Sequence, residues 1–458
     1  MAVPEVPVID RLPDAFRDWL GGRVLDEVEC IIPDLAGIAR GKAMPANKFF
    51  RSDKLYLPIS LFFQTITGEY AHFERDDYWT EADMVLVPDY SAATAVPWTG
   101  DVTLQVIHDI QSLDGEPLPL APRNVLKRVL ALYADRGWRP VVAPEMEFYL
   151  TKPNPDPDIP IEPPIGRTGR SGIGRQAYSM SAVDEYGVVI DHIYDFAEAQ
   201  GFELDTIIQE GGAGQIEINL QHGNPLRLAD QVFLLKRTIR EAALRNDCYA
   251  TFMAKPMQNE PGSAMHIHQS VVDAHSGETV FSNADGSASA LFDGFLAGQQ
   301  VHLPSVVCIL APYVNSYRRF VAGESAPVNL EWGVDNRAAG LRVPNASAAS
   351  RRVENRVVGM DANPYLAIAA SLASGYLGMV DGLRPTAAMS ASARDRMESR
   401  TLPWDLSSAL DLFEAAPAME AVLGEEFCSV YKTIKRFEID EFQQVISPWE
   451  RQHLLLNV

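Results

Sequence analysis

Cysteine is scarce, four residues in 458, at Cys30, Cys248, Cys308 and Cys428, with no CxxC pair. That spacing excludes a disulfide frame and a cysteine-held zinc, and the apolar or mixed surroundings predict reduced core thiols in a cytoplasmic protein. Basic residues are in deficit, with 39 Lys and Arg against 61 Asp and Glu and a net charge of −22. No basic stripe remains for a phosphate backbone, so nucleic acid is excluded as a partner. Long apolar runs are missing as well. Val301–Val314 is broken by Pro304 and Pro312 and falls short of the ~18 apolar residues of a span, so no membrane partner is expected. Met1–Asp14 carries prolines and acids where a secretory signal needs a basic start and an apolar run. Phosphate loops of the GxxxxGK(S/T) kind, nucleophile elbows and HExxH helices are absent, and Gly172-Ile173-Gly174 lacks a third glycine and a preceding strand.

What is present is the composition of a well-filled globular protein, 47% hydrophobic. The first part reads as sheet, with strands expected at Val28–Pro33, Ile38–Ala43, Tyr56–Phe63, Met84–Pro88 and Val102–Asp109, and a turn at Asp34-Leu35-Ala36-Gly37. After Asp114-Gly115-Glu116-Pro117 the texture changes. Pro122 opens a stretch in which Val125, Leu126, Val129, Leu130 and Tyr133 recur at helical spacing until Gly137. A division near residue 112 is therefore expected, giving units 1–112 and 113–458. Pro153–Gly174 reads as a long functional loop, and helices are expected at Asp191–Gln200, Leu228–Cys248, Ala362–Val380 and Leu406–Leu423. Between the last two lies a loop, Ala387–Arg400.

Four short segments alternate so that every charged or ligating group faces one side. In Val141–Leu150 the aligned pair is Glu145 and Glu147, with Met146 and Phe148 opposite. In Gln215–Leu220 the polar face is Gln215, Glu217 and Asn219. In Ala264–Ser270 it is His266, His268 and Ser270, and in Arg352–Arg356 Glu354 lies between Arg352 and Arg356. One such strand is ordinarily a solvated face. Four that concentrate Glu, His and Arg instead predict a polar funnel. Five carboxylates, Glu145, Glu147, Glu210, Glu217 and Glu354, with an imidazole suit two or more hard divalent cations, Mg²⁺ or Mn²⁺, better than zinc. Arg319, Arg337, Arg342, Arg352 and Arg356 supply guanidinium forks for carboxylate and phosphate oxygens. Metal-dependent phosphoryl chemistry on an anionic substrate follows from the residues alone.

Ala143-Pro144-Glu145-Met146-Glu147-Phe148, Gly214-Gln215-Ile216-Glu217, the run Gly262 to Ser270, Asn315-Ser316-Tyr317-Arg318-Arg319, Arg351 to Arg356 and Asp361-Ala362-Asn363-Pro364-Tyr365 resemble the ordered signature of the glutamine synthetase family. The resemblance implies an α+β fold, with a small N-terminal β-grasp domain and a large catalytic domain on a curved antiparallel sheet. It also implies a homo-oligomer, a dodecamer of two hexameric rings with each active site between neighbouring subunits. Carried over by motif, Glu147, Glu210 and Glu217 would hold the metal on the glutamate side, and Glu145, His266 and Glu354 the one facing the ATP γ-phosphate. Arg319 and Arg356 would clamp glutamate with Gly262 near its amino group. Arg337 and Arg342 would face the phosphates, and His268, Ser270 and Arg352 the nucleotide. Two or three Mg²⁺ or Mn²⁺ ions per site and ATP as co-substrate are implied. The chemistry implied is phosphorylation of the glutamate γ-carboxylate, then attack of an amine on the acyl phosphate.

The acids that bind ammonium in the family's ammonia-using members are missing from their expected places. No Asp-Gly-Ser-Ser loop precedes residue 112, and Ser325 stands where a Glu would precede Ala326-Pro327. Phe252-Met253-Ala254-Lys255-Pro256-Met257, Glu260-Pro261-Gly262, Ser325 to Asn329 and Ser447-Pro448-Trp449-Glu450-Arg451 look like the γ-glutamylputrescine synthetase branch. That resemblance implies putrescine or a related amine as acceptor. Glu324 is the candidate base, and the acid- and aromatic-rich stretch Glu69–Glu81, with Tyr70, Phe73, Tyr78 and Trp79, is the candidate lining for the alkyl chain. Arg400 replaces the tyrosine of the family's adenylylation site, so that switch is not expected. A true glutamine synthetase, a ligase for another amine such as ethanolamine, and a non-catalytic scaffold are the alternatives.

Overall fold

The computed structural model describes residues 8–52, 54–71, 82–321, 326–389 and 401–458. Two sheets organise them. The first contains β1 (Glu27–Pro33), β2 (Ala39–Pro45), β3 (Leu55–Pro58), β4 (Asp83–Pro88), β5 (Thr94–Ala95) and β6 (Thr103–Gln111), in the order β2-β1-β6-β4-β3 with β5 on β6. The β1–β2 hairpin turns where expected, because Gly37 takes φ +78° and the Asp34 carboxylate accepts the Ile38 N–H at 2.8 Å. β6 returns parallel to β1. The strand expected over Tyr56–Phe63 stops at Pro58, and Ile59–Phe63 form a 3₁₀ turn that buries Phe62 and Phe63 together. Adjacent residues of a strand point to opposite faces, and a helical turn lets both reach the core.

The second sheet contains β7 (Trp138–Thr151), β8 (Leu204–Gln209), β9 (Gln215–Leu220), β10 (Tyr249–Thr251), β11 (Met265–Asp273), β12 (Trp332–Val334), β13 (Leu341–Val343) and β14 (Val353–Asn355). Its order is β12-β13-β14-β11-β7-β9-β8, with β10 on β7. All pairings but β12–β13 are antiparallel. One face is apolar, since Met146, Phe148, Ile216, Ile218, Met265 and Ile267 are all fully buried. Helices Pro122–Ala134 and Pro225–Leu244 pack on β7, and Pro364–Asp381 packs on both of them. Asn224-Pro225 and Asn363-Pro364 start two of these helices alike. Each Asn side chain accepts two backbone N–H groups and each Pro fills the first turn, where no donor is needed.

Helix Ala290–His302 approaches Pro364–Asp381 through Gly294, Gly298, Gly375 and Gly378, which leaves the two backbones nearly touching. The helix expected over Leu406–Leu423 is two, Leu406–Glu414 and Pro417–Leu423, because Pro417 cannot donate to the preceding turn. Residues 153–174 hold no helix or strand, as expected of a loop, and all four cysteines are buried and free. Arg123, 2% exposed, joins the first sheet to helix Pro225–Leu244. It pairs with Asp89 and Asp109 from the first and with Asp230 of helix Pro225–Leu244, whose carboxylate also accepts the Tyr365 hydroxyl at 2.7 Å. Among the described residues no helix is long and apolar enough to cross a membrane.

Candidate active site

The register of the second sheet aligns the charged faces of its strands. On β7, Glu147 lies opposite Glu217 of β9, and Glu145 lies opposite His266 of β11. On the far side of β11, His268 lies opposite Glu354 of β14, which in turn faces Arg342 of β13. Five strands thus carry one continuous row of carboxylates, imidazoles and guanidinium groups. Their apolar neighbours in sequence are locked in the core behind, so the row cannot rotate away.

Side-chain contacts draw the row together. Glu145 accepts from His266 Nδ1 at 3.1 Å and His268 Nε2 at 2.9 Å. His266 Nδ1 is 3.8 Å from Glu147 and 3.9 Å from Glu354. Two groups of potential ligand atoms are tight, Glu145–Glu217–His266 and Glu145–His268–Glu354, each within 4.8 Å. The second triad contains His268 where the family resemblance implies His266, so Glu145 is shared and the two histidines divide the row. Glu210, in the turn between β8 and β9, raises the proton affinity of both Glu147 and Glu217, which places it in the same field.

The arginines border this row. Arg342 Nη1 donates to Glu354 at 2.7 Å, Arg356 donates to the other Glu354 oxygen, and Arg352 Nε donates to His268 Nδ1 at 3.2 Å. Arg319, 3% exposed, gives both terminal nitrogens to the carbonyls of Val357 and Arg356 at 2.8 Å. Its charge still acts on Glu147. A Cβ on Gly262 would lie 2.6 Å from the Arg319 side chain and 2.7 Å from the Ala254 carbonyl, so only glycine lets that arginine pass. Arg337 is exposed in the turn between β12 and β13, near enough to act on Glu210. Ser270 is half-buried two residues along β11 from His268, opposite Val141.

Glu324, Ser325, Phe73, Tyr78, Trp79 and Arg400 lie outside the described residues. Tyr70 is described, half-exposed, and its hydroxyl accepts from Gln64 at 3.0 Å. Gln215 was legible only as one polar residue on the β9 face, yet it ties Glu147 to the Gly262 carbonyl through Nε2, at 3.5 and 3.0 Å. Asp335, with no signal in the sequence, pairs with Arg342 at 3.2 Å.

The electrostatics separate the carboxylates. Burial, then repulsion from Glu210, pushes Glu147 up to about 8. Burial, then repulsion from Glu145, Glu147 and Glu210, pushes Glu217 up to about 9. Burial raises Glu210 too. Glu145, half-buried, is held below the ordinary range by the hydrogen bonds from His266 and His268, and Glu354, buried, is held low by the positive charges around it, Arg356 among them. Burial and Arg356 bring His266 down to about 4, leaving a neutral imidazole with a lone pair to give. Oxygen-rich donors that repel one another and need positive charge between them, joined by neutral imidazole, fit hard divalent cations.

A family model described as the glutamine synthetase catalytic domain matches residues 119–454. The chain is 36% identical over 439 residues to the gamma-glutamylputrescine synthetase PuuA of Escherichia coli K12, covering 94% of this chain and 92% of that one. It is 31% identical over 448 residues to a glutamate–isopropylamine ligase of a Pseudomonas species, covering 95% and 96%. Among solved structures, a GmaS complex with ADP superimposes with a TM-score of 0.80 at 25% identity, over 96% of this chain and 99% of that one. The α+β architecture is that of these relatives, and the chain belongs to the glutamine synthetase family.

Proposed function

We propose that the protein is an ATP-dependent ligase that joins the γ-carboxylate of L-glutamate to putrescine, or a related polyamine or monoamine, through γ-glutamyl phosphate. The observation that carries this reading is the row Glu217–Glu147–Glu145–His266 and His268–Glu354–Arg342 across neighbouring strands. Relatives named for putrescine and isopropylamine support an amine acceptor over ammonia, as does the loss of the family's ammonium-binding acids.

In this reading Glu147, Glu210 and Glu217 hold one divalent cation and Glu145, His266 and Glu354 another, two or three Mg²⁺ or Mn²⁺ ions in all. Those ions, when bound, neutralise phosphate oxygens and polarise the γ-phosphorus. Arg356 and Arg319 orient the glutamate carboxylates, with Gly262 beside the amino group, and Arg342 and Arg337 face the phosphate that moves. His268, Ser270 and Arg352 receive the nucleotide. The glutamate γ-oxygen attacks the γ-phosphorus, ADP leaves, and the amine then displaces phosphate from the acyl carbon. A primary amine arrives protonated and must lose a proton first. Glu324 is the candidate base. Glu324→Gln should slow amide formation more than acyl-phosphate formation, as read by single-turnover quench, and equal slowing of both would remove it from the mechanism.

The reading extends to a division into an N-terminal domain, 1–112, and a catalytic domain, 113–458. It also extends to a dodecamer of two hexameric rings in the cytoplasm, where the four free thiols stay reduced. The test is phosphate release from ATP and glutamate across a panel of amines. Putrescine or a related amine should far outpace ammonium. Ammonium turnover equal to that of the best amine would instead make the protein a glutamine synthetase.

A further inference from the structure

A second concave region lies between the β1–β2 turn and helix Pro225–Leu244, a cavity of about 610 Å³ with no lining residue from the acidic row. One turn of that helix brings Lys236 and Arg240, four residues apart, to its wall, with Arg237 beside them. Both flanking cations lie over the Phe252 ring, the lysine nitrogen 5.7 Å and the guanidinium carbon 4.9 Å from its centroid. Arg237 is matched by Glu29 at 2.9 Å. Lys236 donates to the carbonyls of Met360 at 2.7 Å and Ala362 at 3.0 Å, on either side of Asp361. Arg240 has no carboxylate partner among the described residues, and its side chain is open to solvent.

The lining is therefore cationic in a chain whose net charge is −22. Its acid, Asp361, is already engaged by the Ser316 hydroxyl at 2.6 Å. Burial, then the neighbouring Arg240 charge, brings Lys236 down to about 7 against the opposing pull of Asp361. A volume of this size holds a small metabolite, and a free guanidinium fork is the side chain best matched to a two-oxygen anion.

We propose that this cavity is a binding site for a small oxyanion, carboxylate or phosphate, held by the Arg240 fork with Lys236 as the second cation. The site is separate from the ligase chemistry proposed above, and its test reads binding, not turnover. Inorganic phosphate and succinate, in separate arms, are titrated calorimetrically into the full chain and into Arg240→Ala, Arg240→Lys and Arg356→Ala. Wild type binds at least one of the two anions here. Affinity for that anion falls about tenfold or more in Arg240→Ala, falls less in Arg240→Lys, and persists in Arg356→Ala, which removes binding at the acidic row. The arm that binds sets the ligand class. Absence of binding in both wild-type arms, unchanged binding in Arg240→Ala, or complete loss in Arg356→Ala would overturn the proposal. Circular dichroism confirms that each variant is folded before it is titrated.

Discussion

Single residues set the charge state of the acidic row, and pH exposes it. Glu147 and Glu217 are pushed up to about 8 and about 9 from 4.5. A carboxyl group whose folded pKa is raised binds more protons folded than unfolded, so its contribution to stability is full below about 4.5. It is lost as pH climbs to about 9. Protein stripped of divalent ions with chelator should therefore melt at falling temperatures across that window, and Mg²⁺ or Mn²⁺ should restore most at its alkaline end. A melting temperature that rises with pH in chelator would contradict the charge assignment. Glu354→Ala removes the carboxylate that faces His268 and binds both Arg342 and Arg356. Ligation should fall by more than about 100-fold while the fold survives. Gly262→Ala should raise the KM for glutamate about tenfold and leave that for ATP unchanged, because its Cβ displaces Arg319. Equal KM shifts for both substrates would detach Gly262 from the glutamate side.

Strands and helices decide how much of this the sequence could reveal. Alternation alone put Glu145 with Glu147, and His266 with His268, because period two is local to each strand. Pairing is not local. That Glu147 faces Glu217, and that Glu354 meets Arg342 across β14 and β13, depends on register between segments far apart in the chain. Gln215 shared the readable face, but its bridge to the Gly262 carbonyl exists only once β9 lies beside that loop. Asp335 gave no signal, for its partner is chosen by the turn that carries it. The misread elements have local causes, Pro58 ending a strand in a hydrophobic run and Pro417 splitting a helix whose apolar spacing continues through it. Helix contact at Gly298 was equally unreadable. A Cβ there would sit 2.3 Å from the Ser374 carbonyl and 2.7 Å from the Gly378 nitrogen. Gly298→Ala should therefore lower stability by about 1–3 kcal/mol, seen as a lower thermal midpoint without loss of metal binding.

At the scale of the whole molecule, a buried cation, Arg123, ties the first sheet to helix Pro225–Leu244, beside the Arg237–Glu29 pair and a shared apolar core. Arg123 pairs with Asp89, Asp109 and Asp230, and burial raises Asp230 above its ordinary value even against the opposing pull of that arginine. Arg123→Ala leaves those acids facing each other and should destabilise the chain by about 3–5 kcal/mol in denaturant titration. A cost below about 1 kcal/mol would mean that Arg123 adds little to the joint between the first sheet and helix Pro225–Leu244. The joint matters because a site between neighbouring subunits, which the family resemblance implies, needs the first sheet rigid on the catalytic part of the chain. The most direct measurement on the whole enzyme follows the γ-oxygen. Glutamate labelled with ¹⁸O in its γ-carboxylate is incubated with ATP, Mg²⁺ and putrescine, and the released phosphate is analysed by mass spectrometry. Passage through γ-glutamyl phosphate transfers one labelled oxygen to each phosphate as each γ-glutamyl amide forms, with Glu354→Ala forming neither. Phosphate free of label, or amide formed without phosphate release, would contradict the proposed ligase.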